Sequence, residues 1–270
     1  MKRILVHLDA SPRTTVRLAL AQRLAHRDGA ELDAFYGVEP TLVALPWAAA
    51  EGLGSVAAAL AELDTEQRKR ARTLVDQAAG RSPLSWIDGG AAPYWSLLQH
   101  AMYTDLLVLG QTDGQDGLTG PLTPGLVPHT IIDTGKPTLV VPANGSFEIP
   151  GRILVGWKPT RESARAVTAA LPWLRRAKAV HLATRVEEEH ADAPARLTHW
   201  LQLHDVVAPI EHHRLADGEV GAALLSLAAE SGAELLVMGC YGHSRARELV
   251  LGGASRTVLH SMTLPVLMVH

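Results

Sequence analysis

The stretch Met238–Leu259, MGCYGHSRARELVLGGASRTVL, is the segment from which the fold can be worked out. It begins at the end of a short apolar run, ELLVMG at Glu234–Gly239, that is typical of a buried strand, and it ends in an apolar-periodic run that is typical of a helix. Gly239 and Gly242 let the chain turn without a Cβ, and Gly252 and Gly253 stand directly before the helix. Free backbone N–H groups and the helix dipole favour an anion at such a place. The stretch therefore predicts a phosphate-binding turn between a strand and a helix.

The glycine spacing, Gly239-x2-Gly242-x9-Gly252, resembles the nucleotide loop of the universal stress protein family. The longer string YGHSRARELVLGG is close to the wording of the bacterial members of that family. In family members that bind ATP, the last glycine is followed by Ser or Thr, whose hydroxyl reaches a phosphate. Here Gly253 takes that position, and the nearest hydroxyl belongs to Ser255. The resemblance therefore implies the fold more directly than it implies the ligand.

The chain carries two copies of one plan. RILVHLDAS at Arg3–Ser11 matches RILVGWKPT at Arg152–Thr160, and DLLVLG at Asp105–Gly110 matches the ELLVMG run. Each copy also closes on an apolar run, KPTLVV or LPVLMV. A repeat of roughly one domain length indicates domain duplication rather than a solenoid. We expect a first domain at residues 1–143, a linker at 144–150 and a second domain at 151–270.

Each copy alternates strand-like runs of Val, Ile and Leu with helix-like runs, a pattern typical of a parallel sheet with helices on both faces. The predicted fold class is α/β, with two tandem doubly wound domains of five strands each. The resemblance implies the same Rossmann-like fold, that of the adenine nucleotide alpha hydrolases. It also implies that the two last strands pair, so that the halves form a dimer-like unit within one chain. Further homodimerisation stays open. The predicted strands span residues 4–8, 31–38, 84–87, 106–109, 138–141, 153–156, 180–184, 208–213, 235–238 and 266–269.

The resemblance also identifies candidate ligand contacts outside the glycine loop. In the family, an Asp after the first strand contacts the adenosine moiety; Asp9 stands there in the first copy, whereas Lys158 stands there in the second. The first copy has an acidic loop, QTDGQDG, after Gly110, which would repel phosphate. We therefore predict that the second copy binds ATP or another adenine nucleotide, with Mg²⁺, or a different phosphate-bearing ligand. The predicted site residues are Gly239, Gly242, Gly252, Gly253, Ser244, Arg245, Ser255, Met238, Thr184 and Lys158.

Two other interpretations of the same residues stay open. The glycine loop can serve only to shape a strand-to-helix turn, in which case both sites are degenerate and the protein acts as a scaffold through protein contacts during stress. Alternatively, the protein is a slow ATPase. Hydrolysis requires a positioned general base and a polarising group, and the sequence identifies neither, so we predict no catalytic residues.

Composition excludes several further classes. The formal net charge is −3, and neither copy has the basic excess of a nucleic-acid-binding protein. The apolar runs fall short of the roughly 20 residues that span a bilayer, and MKR leads straight into a strand without a cleavage site, so we expect a cytoplasmic location. The single Cys240 cannot form an internal disulfide or a cysteine metal cluster.

The histidines do not predict a metal site. The densest group is Glu211-His212-His213, but adjacent residues on a strand point to opposite faces, so His212 and His213 cannot readily bind one ion. His199 and His204 are five residues apart, which is poor helical spacing for a shared metal. We interpret the histidines as surface residues.

Overall fold

The computed structural model describes residues 1–41, 54–78, 84–111, 125–185, 191–215, 218–240 and 253–270. The chain divides into two compact units, Met1–Lys136 and Pro137–His270. Within the described residues, the helices are too short or too polar to cross a membrane.

The first unit is a parallel sheet with strand order β3-β2-β1-β4. The central strands β1 and β4 are largely apolar and are buried along almost their whole length, whereas β3 at the edge is only partly buried. Both faces of the central strands are therefore covered, as a parallel sheet requires. In chain order the elements are β1 (Arg3–Leu8), α1 (Thr14–Asp28), β2 (Glu31–Tyr36), α2 (Gly54–Ala78), β3 (Leu84–Asp88), α3 (Pro93–Ala101), β4 (Leu106–Gly110) and α4 (Leu126–Thr134).

The second unit has the strand order β5-β10-β9-β6-β7-β8 and is parallel except for β5. The strand order reverses where β6 lies beside β9, and ligands bind at the carboxyl ends of the strands at such a reversal. In chain order the elements are β5 (Thr138–Val141), β6 (Arg152–Trp157), α5 (Arg161–Leu174), β7 (Ala179–Thr184), α6 (Ala193–Leu203), β8 (Ile210–Arg214), α7 (Val220–Glu230), β9 (Leu235–Gly239), α8 (Ala254–Ser261) and β10 (Val266–Val269).

The two closing strands pair with each other. β5 runs antiparallel to β10, with Val140 opposite Val266 and Leu139 opposite Leu267. All four side chains are buried, so each strand covers an apolar edge of the other that would otherwise be exposed. The predicted α/β fold class and the predicted pairing of the last strands are both confirmed.

Gly239 ends β9 where the strand passes under the start of α5. A Cβ at this position would collide with the backbone nitrogen of Ser163 and would lie 2.6 Å from the carbonyl carbon of Glu162. Both neighbours are backbone atoms, so a rotamer change cannot relieve the contact. Gly239 is thus required for the packing of β9 against α5, whatever its part in ligand binding.

We expect Gly239→Ala to lower the free energy of unfolding by about 1–3 kcal/mol, because overpacking against backbone forces the strand and the helix apart. Gly54→Ala is the matched control, since a Cβ at Gly54 meets nothing within 4 Å. It should leave stability unchanged or raise it slightly. Urea unfolding followed by circular dichroism measures both variants, and equal midpoints would show that Gly239 does not constrain the packing.

Candidate functional site

The carboxyl edge of the first unit contains a buried ion pair. Asp9 follows β1 directly, and its Oδ1 lies 2.8 Å from a terminal nitrogen of Arg17. The same carboxylate accepts hydrogen bonds from the backbone N–H of Ser11 (3.0 Å) and from its hydroxyl (2.6 Å). The hydroxyl of Thr14 approaches the same oxygen to 2.8 Å. The negative charge of Asp9 is therefore neutralised within its own unit.

Arg17 also occupies the space at the end of β4. A Cβ at Gly110 would overlap the guanidinium group of Arg17, so the glycine leaves room for that side chain. The side chains of Asp9 and Arg17 are only 1% and 4% exposed. Removing one partner of such a pair leaves an unpaired charge in the protein interior, which typically lowers the free energy of unfolding by about 3–5 kcal/mol. A ligand that needed Oδ1 of Asp9 would first have to separate this pair.

The sequence analysis did not identify Arg17 as the partner of Asp9. The sequence pattern that could have identified it is its place on α1, in the buried stripe with Thr14, Leu18 and Ala21. A charged residue in a buried helical stripe needs a partner of opposite charge, and Asp9 supplies it.

Burial and this ion pair shift two pKa values. Burial alone would raise the pKa of Asp9, but the positive charge of Arg17, helped by His7 and the Ser11 hydrogen bond, lowers it to about 2. Burial, together with the smaller effect of the positive charge of Arg17, lowers the pKa of His7 to about 4. His7 is therefore neutral in the folded protein, and its Nε2 lies 2.8 Å from the carbonyl oxygen of Gly37, to which it donates.

The carboxyl edge of the second unit has different charges at the matching positions. Lys158 follows β6 where Asp9 follows β1, and it is exposed. Continuing the repeat into the next helix places Ala166 opposite Arg17, and Ala166 is buried. Thr160 caps α5 by accepting a hydrogen bond from the N–H of Ser163 at 3.3 Å. The second unit therefore presents a lysine where the first unit has its buried ion pair.

Three further predicted residues lie at this edge. Thr184, at the end of β7, is paired with Trp157, and Met238, near the end of β9, is paired with Gly156. These two residues therefore flank the end of β6, immediately before Lys158. Gly239 follows Met238 and packs against α5. The structure thus brings Thr184, Met238, Gly239 and Lys158 to one edge of the sheet.

On the carboxyl-terminal side of the glycine loop, the described residues begin at Gly253. Gly253 is the N-cap of α8 with an extended backbone, φ −72° and ψ 162°, and its carbonyl accepts hydrogen bonds from the N–H groups of Arg256 and Thr257. Ser255 lies in the first turn of α8 and is buried. Gly242, Ser244, Arg245 and Gly252 lie outside the described residues, so their parts in the site stay predictions.

A cavity of about 520 Å³ lies between α5 and α6, beside the end of β6. Two indole rings, Trp157 and Trp200, line it together with Leu197 and Arg196. The indole Nε1 of Trp157 is buried and has no hydrogen-bond partner among the described residues. The volume falls in the range of small-molecule sites, about 300–1,000 Å³.

Comparison with known proteins gives the following similarities. Residues 151–270 match the model of the universal stress protein family. A universal stress protein from Archaeoglobus fulgidus DSM 4304 is similar with a TM-score of 0.68 and 16% identity, covering 99% of this chain and 97% of its own. A protein of unknown function from Pseudomonas aeruginosa PAO1 has a TM-score of 0.62 and 16% identity, covering 100% of this chain and 92% of its own. A universal stress protein in complex with cAMP is 28% identical, with a TM-score of 0.38, over 45% of this chain and 97% of its own. The search of curated proteins finds no significant match.

The neutral buried state of His7 predicts a pH dependence of stability. Between pH 6.5 and about 4 the unfolded chain protonates His7 while the folded chain does not, so falling pH favours unfolding over this window. The loss approaches roughly 3 kcal/mol at pH 4 and is absent above pH 7.

His7→Gln should remove this contribution, because an amide does not titrate and its N–H can still donate to Gly37. We expect urea unfolding to show a smaller loss of stability between pH 7 and pH 4 for the variant than for the wild type. Equal losses would mean that His7 is protonated in the folded protein as well.

Proposed function

We propose that this chain, which belongs to the universal stress protein family through residues 151–270, binds an adenine nucleotide or another phosphate-bearing ligand in its second unit and not in its first. The observation that carries the proposal is the difference between the two carboxyl edges, Asp9 with Arg17 in one unit and Lys158 with Ala166 in the other. Membership in the family supports a role in the cytoplasmic stress response.

The first unit is a poor anion site for two reasons. One oxygen of its carboxylate, Oδ1 of Asp9, is already bound by Arg17, Ser11 and Thr14, and the guanidinium group fills the space beside Gly110. The loop after Gly110 carries acidic residues, which repel phosphate. A nucleotide would have to break a buried ion pair and overcome this repulsion.

The second unit has the opposite character. Lys158 is an exposed ammonium group at the end of the central strand, and such a group binds phosphate as a point charge. Gly253, the N-cap of α8, has no side chain that could block the first backbone N–H groups of the helix. Free N–H groups at a helix N-terminus favour the binding of anions.

Replacing the family's Asp by Lys158 should change which part of the ligand is recognised. A carboxylate accepts hydrogen bonds from ribose hydroxyls, whereas an ammonium group attracts phosphate oxygens. We therefore expect affinity to rise with the number of phosphates, in the order AMP, ADP, ATP.

The direct test is isothermal titration of the full, nucleotide-stripped chain with Mg-ATP, ADP and AMP. We expect one site per chain and at least ~10-fold weaker ATP binding for Lys158→Glu, because the substitution replaces attraction by repulsion at the phosphates. Lys178→Glu is the matched control: it makes the same charge change beside Gly151, before the strands begin. Gly242→Asp should abolish binding by adding bulk and negative charge at the anion site.

Two results would contradict the proposal. Two equivalent sites per chain would mean that the first unit also binds. An unchanged ATP affinity in Lys158→Glu, with normal folding, would show that Lys158 is not part of the site.

Measuring phosphate release distinguishes a slow ATPase from a protein that only binds nucleotide. Release by the wild type above the background of Gly242→Asp would indicate hydrolysis.

The cavity beside β6 favours a second candidate function, the binding of a small planar molecule. Its lining includes the side chains of Trp157 and Trp200, and indole rings favour stacking on planar molecules. Trp200→Ala should weaken the binding of such a ligand and leave ATP binding at Lys158 unchanged.

If neither a nucleotide nor a planar molecule binds, the scaffold interpretation gains support. The exposed side chains of Trp95 and Met102 in the first unit are then the first positions to substitute in a test for protein contacts.

A further inference from the structure

Three side chains with metal-binding atoms converge on neighbouring strands of the second unit. In the β7–β8 pair, His181 lies opposite Glu211, and Ala183 lies opposite His213. Glu211 and His213 are two residues apart on β8, so their side chains point to the same face of the sheet, and His181 points to that face as well. The pairing register therefore gathers one carboxylate and two imidazoles.

The atoms that could bind an ion are close to one another. Nδ1 of His181 lies 3.1 Å from Nε2 of His213, and Oε2 of Glu211 lies 3.5 Å from the first nitrogen and 3.9 Å from the second. A single point about 2.1 Å from all three atoms exists for a triangle of these sides, which matches zinc–nitrogen and zinc–oxygen bond lengths. The three atoms thus already stand at the separations that coordination requires.

We propose that His181, Glu211 and His213 form a binding site for a first-row divalent transition metal ion, foremost Zn²⁺. Two imidazoles and one carboxylate are ligands that such ions prefer, whereas Mg²⁺ and Ca²⁺ prefer sites built from oxygen alone. This inference does not depend on the nucleotide proposal, because it uses none of the same residues.

The exposed fractions of the three side chains indicate which side of a bound ion would face solvent. The side chain of His181 is 8% exposed, that of His213 is 28% exposed and that of Glu211 is 62% exposed. The ion would be held from the protein side by His181 and would face solvent beside Glu211. Three protein ligands with one open side leave a coordination position for water or for an outside ligand.

His212 supplies a natural control within the same strand. Its Nε2 lies 3.1 Å from the hydroxyl of Thr198 on α6, so it points to the face covered by that helix. The alternation of the strand therefore separates it from His181, Glu211 and His213. A substitution at His212 removes a neighbouring imidazole and leaves the three ligands in place.

The test is a titration of the untagged, metal-stripped full chain with Zn²⁺ in competition with a chromophoric chelator. We expect at least ~10-fold weaker Zn²⁺ binding for His213→Gln and for Glu211→Gln, and an unchanged affinity for His212→Gln. Glu211 is exposed, so its variant should fold normally, which circular dichroism verifies. Replacing Zn²⁺ by Co²⁺ adds a spectroscopic readout, because the visible absorption of Co²⁺ reports nitrogen coordination and low coordination number.

The proposal is overturned by any of three results. The first is that the wild-type chain fails to compete with the chelator for Zn²⁺. The second is that the His213→Gln and Glu211→Gln variants bind Zn²⁺ as tightly as the wild type. The third is that His212→Gln weakens Zn²⁺ binding as much as those two variants do. The last result would indicate diffuse binding to surface histidines.

Discussion

A parallel sheet whose central strands are covered on both faces gathers charged groups at the edge where the carboxyl ends of those strands meet. Most interior positions of β1, β4, β6 and β9 are occupied by buried apolar side chains, with the neutral His7 as the exception in β1, and Asp9 and Lys158 lie beyond the strand ends. Both units obey this constraint. The two units differ in the charges at this edge, an ion pair in the first and an exposed lysine in the second.

In the first unit, the charge beyond the central strand is neutralised by the unit itself. Asp9 and Arg17 form a buried pair that also contacts Ser11 and Thr14, so the charge of Asp9 is balanced within the unit. In the second unit, Lys158 is exposed and the residue matching Arg17 is an alanine. Divergence of the two copies has thus replaced a buried ion pair by an exposed lysine at the matching position.

The sequence allowed much of the fold to be predicted, because each strand is an apolar run and the two closing runs resemble each other. The strand bounds in the structure differ from the predicted ones by two residues at most, as at β8, which spans Ile210–Arg214. Contacts that depend on spatial pairing were not predictable. The partner of Asp9 lies eight positions away on a helix, and His181 meets His213 only through the register of β7 and β8. Gly242, Ser244, Arg245 and Gly252 lie outside the described residues and rest on the sequence alone.

The central claim is that nucleotide binding belongs to the second unit alone, and photolabelling tests it most directly. The full chain is irradiated with 8-azido-ATP, with and without excess ATP, and the labelled peptides are identified by mass spectrometry. We expect labelling that ATP suppresses, confined to peptides from residues 151–270. ATP-suppressible labelling of peptides from the first unit, Met1–Lys136, would contradict it.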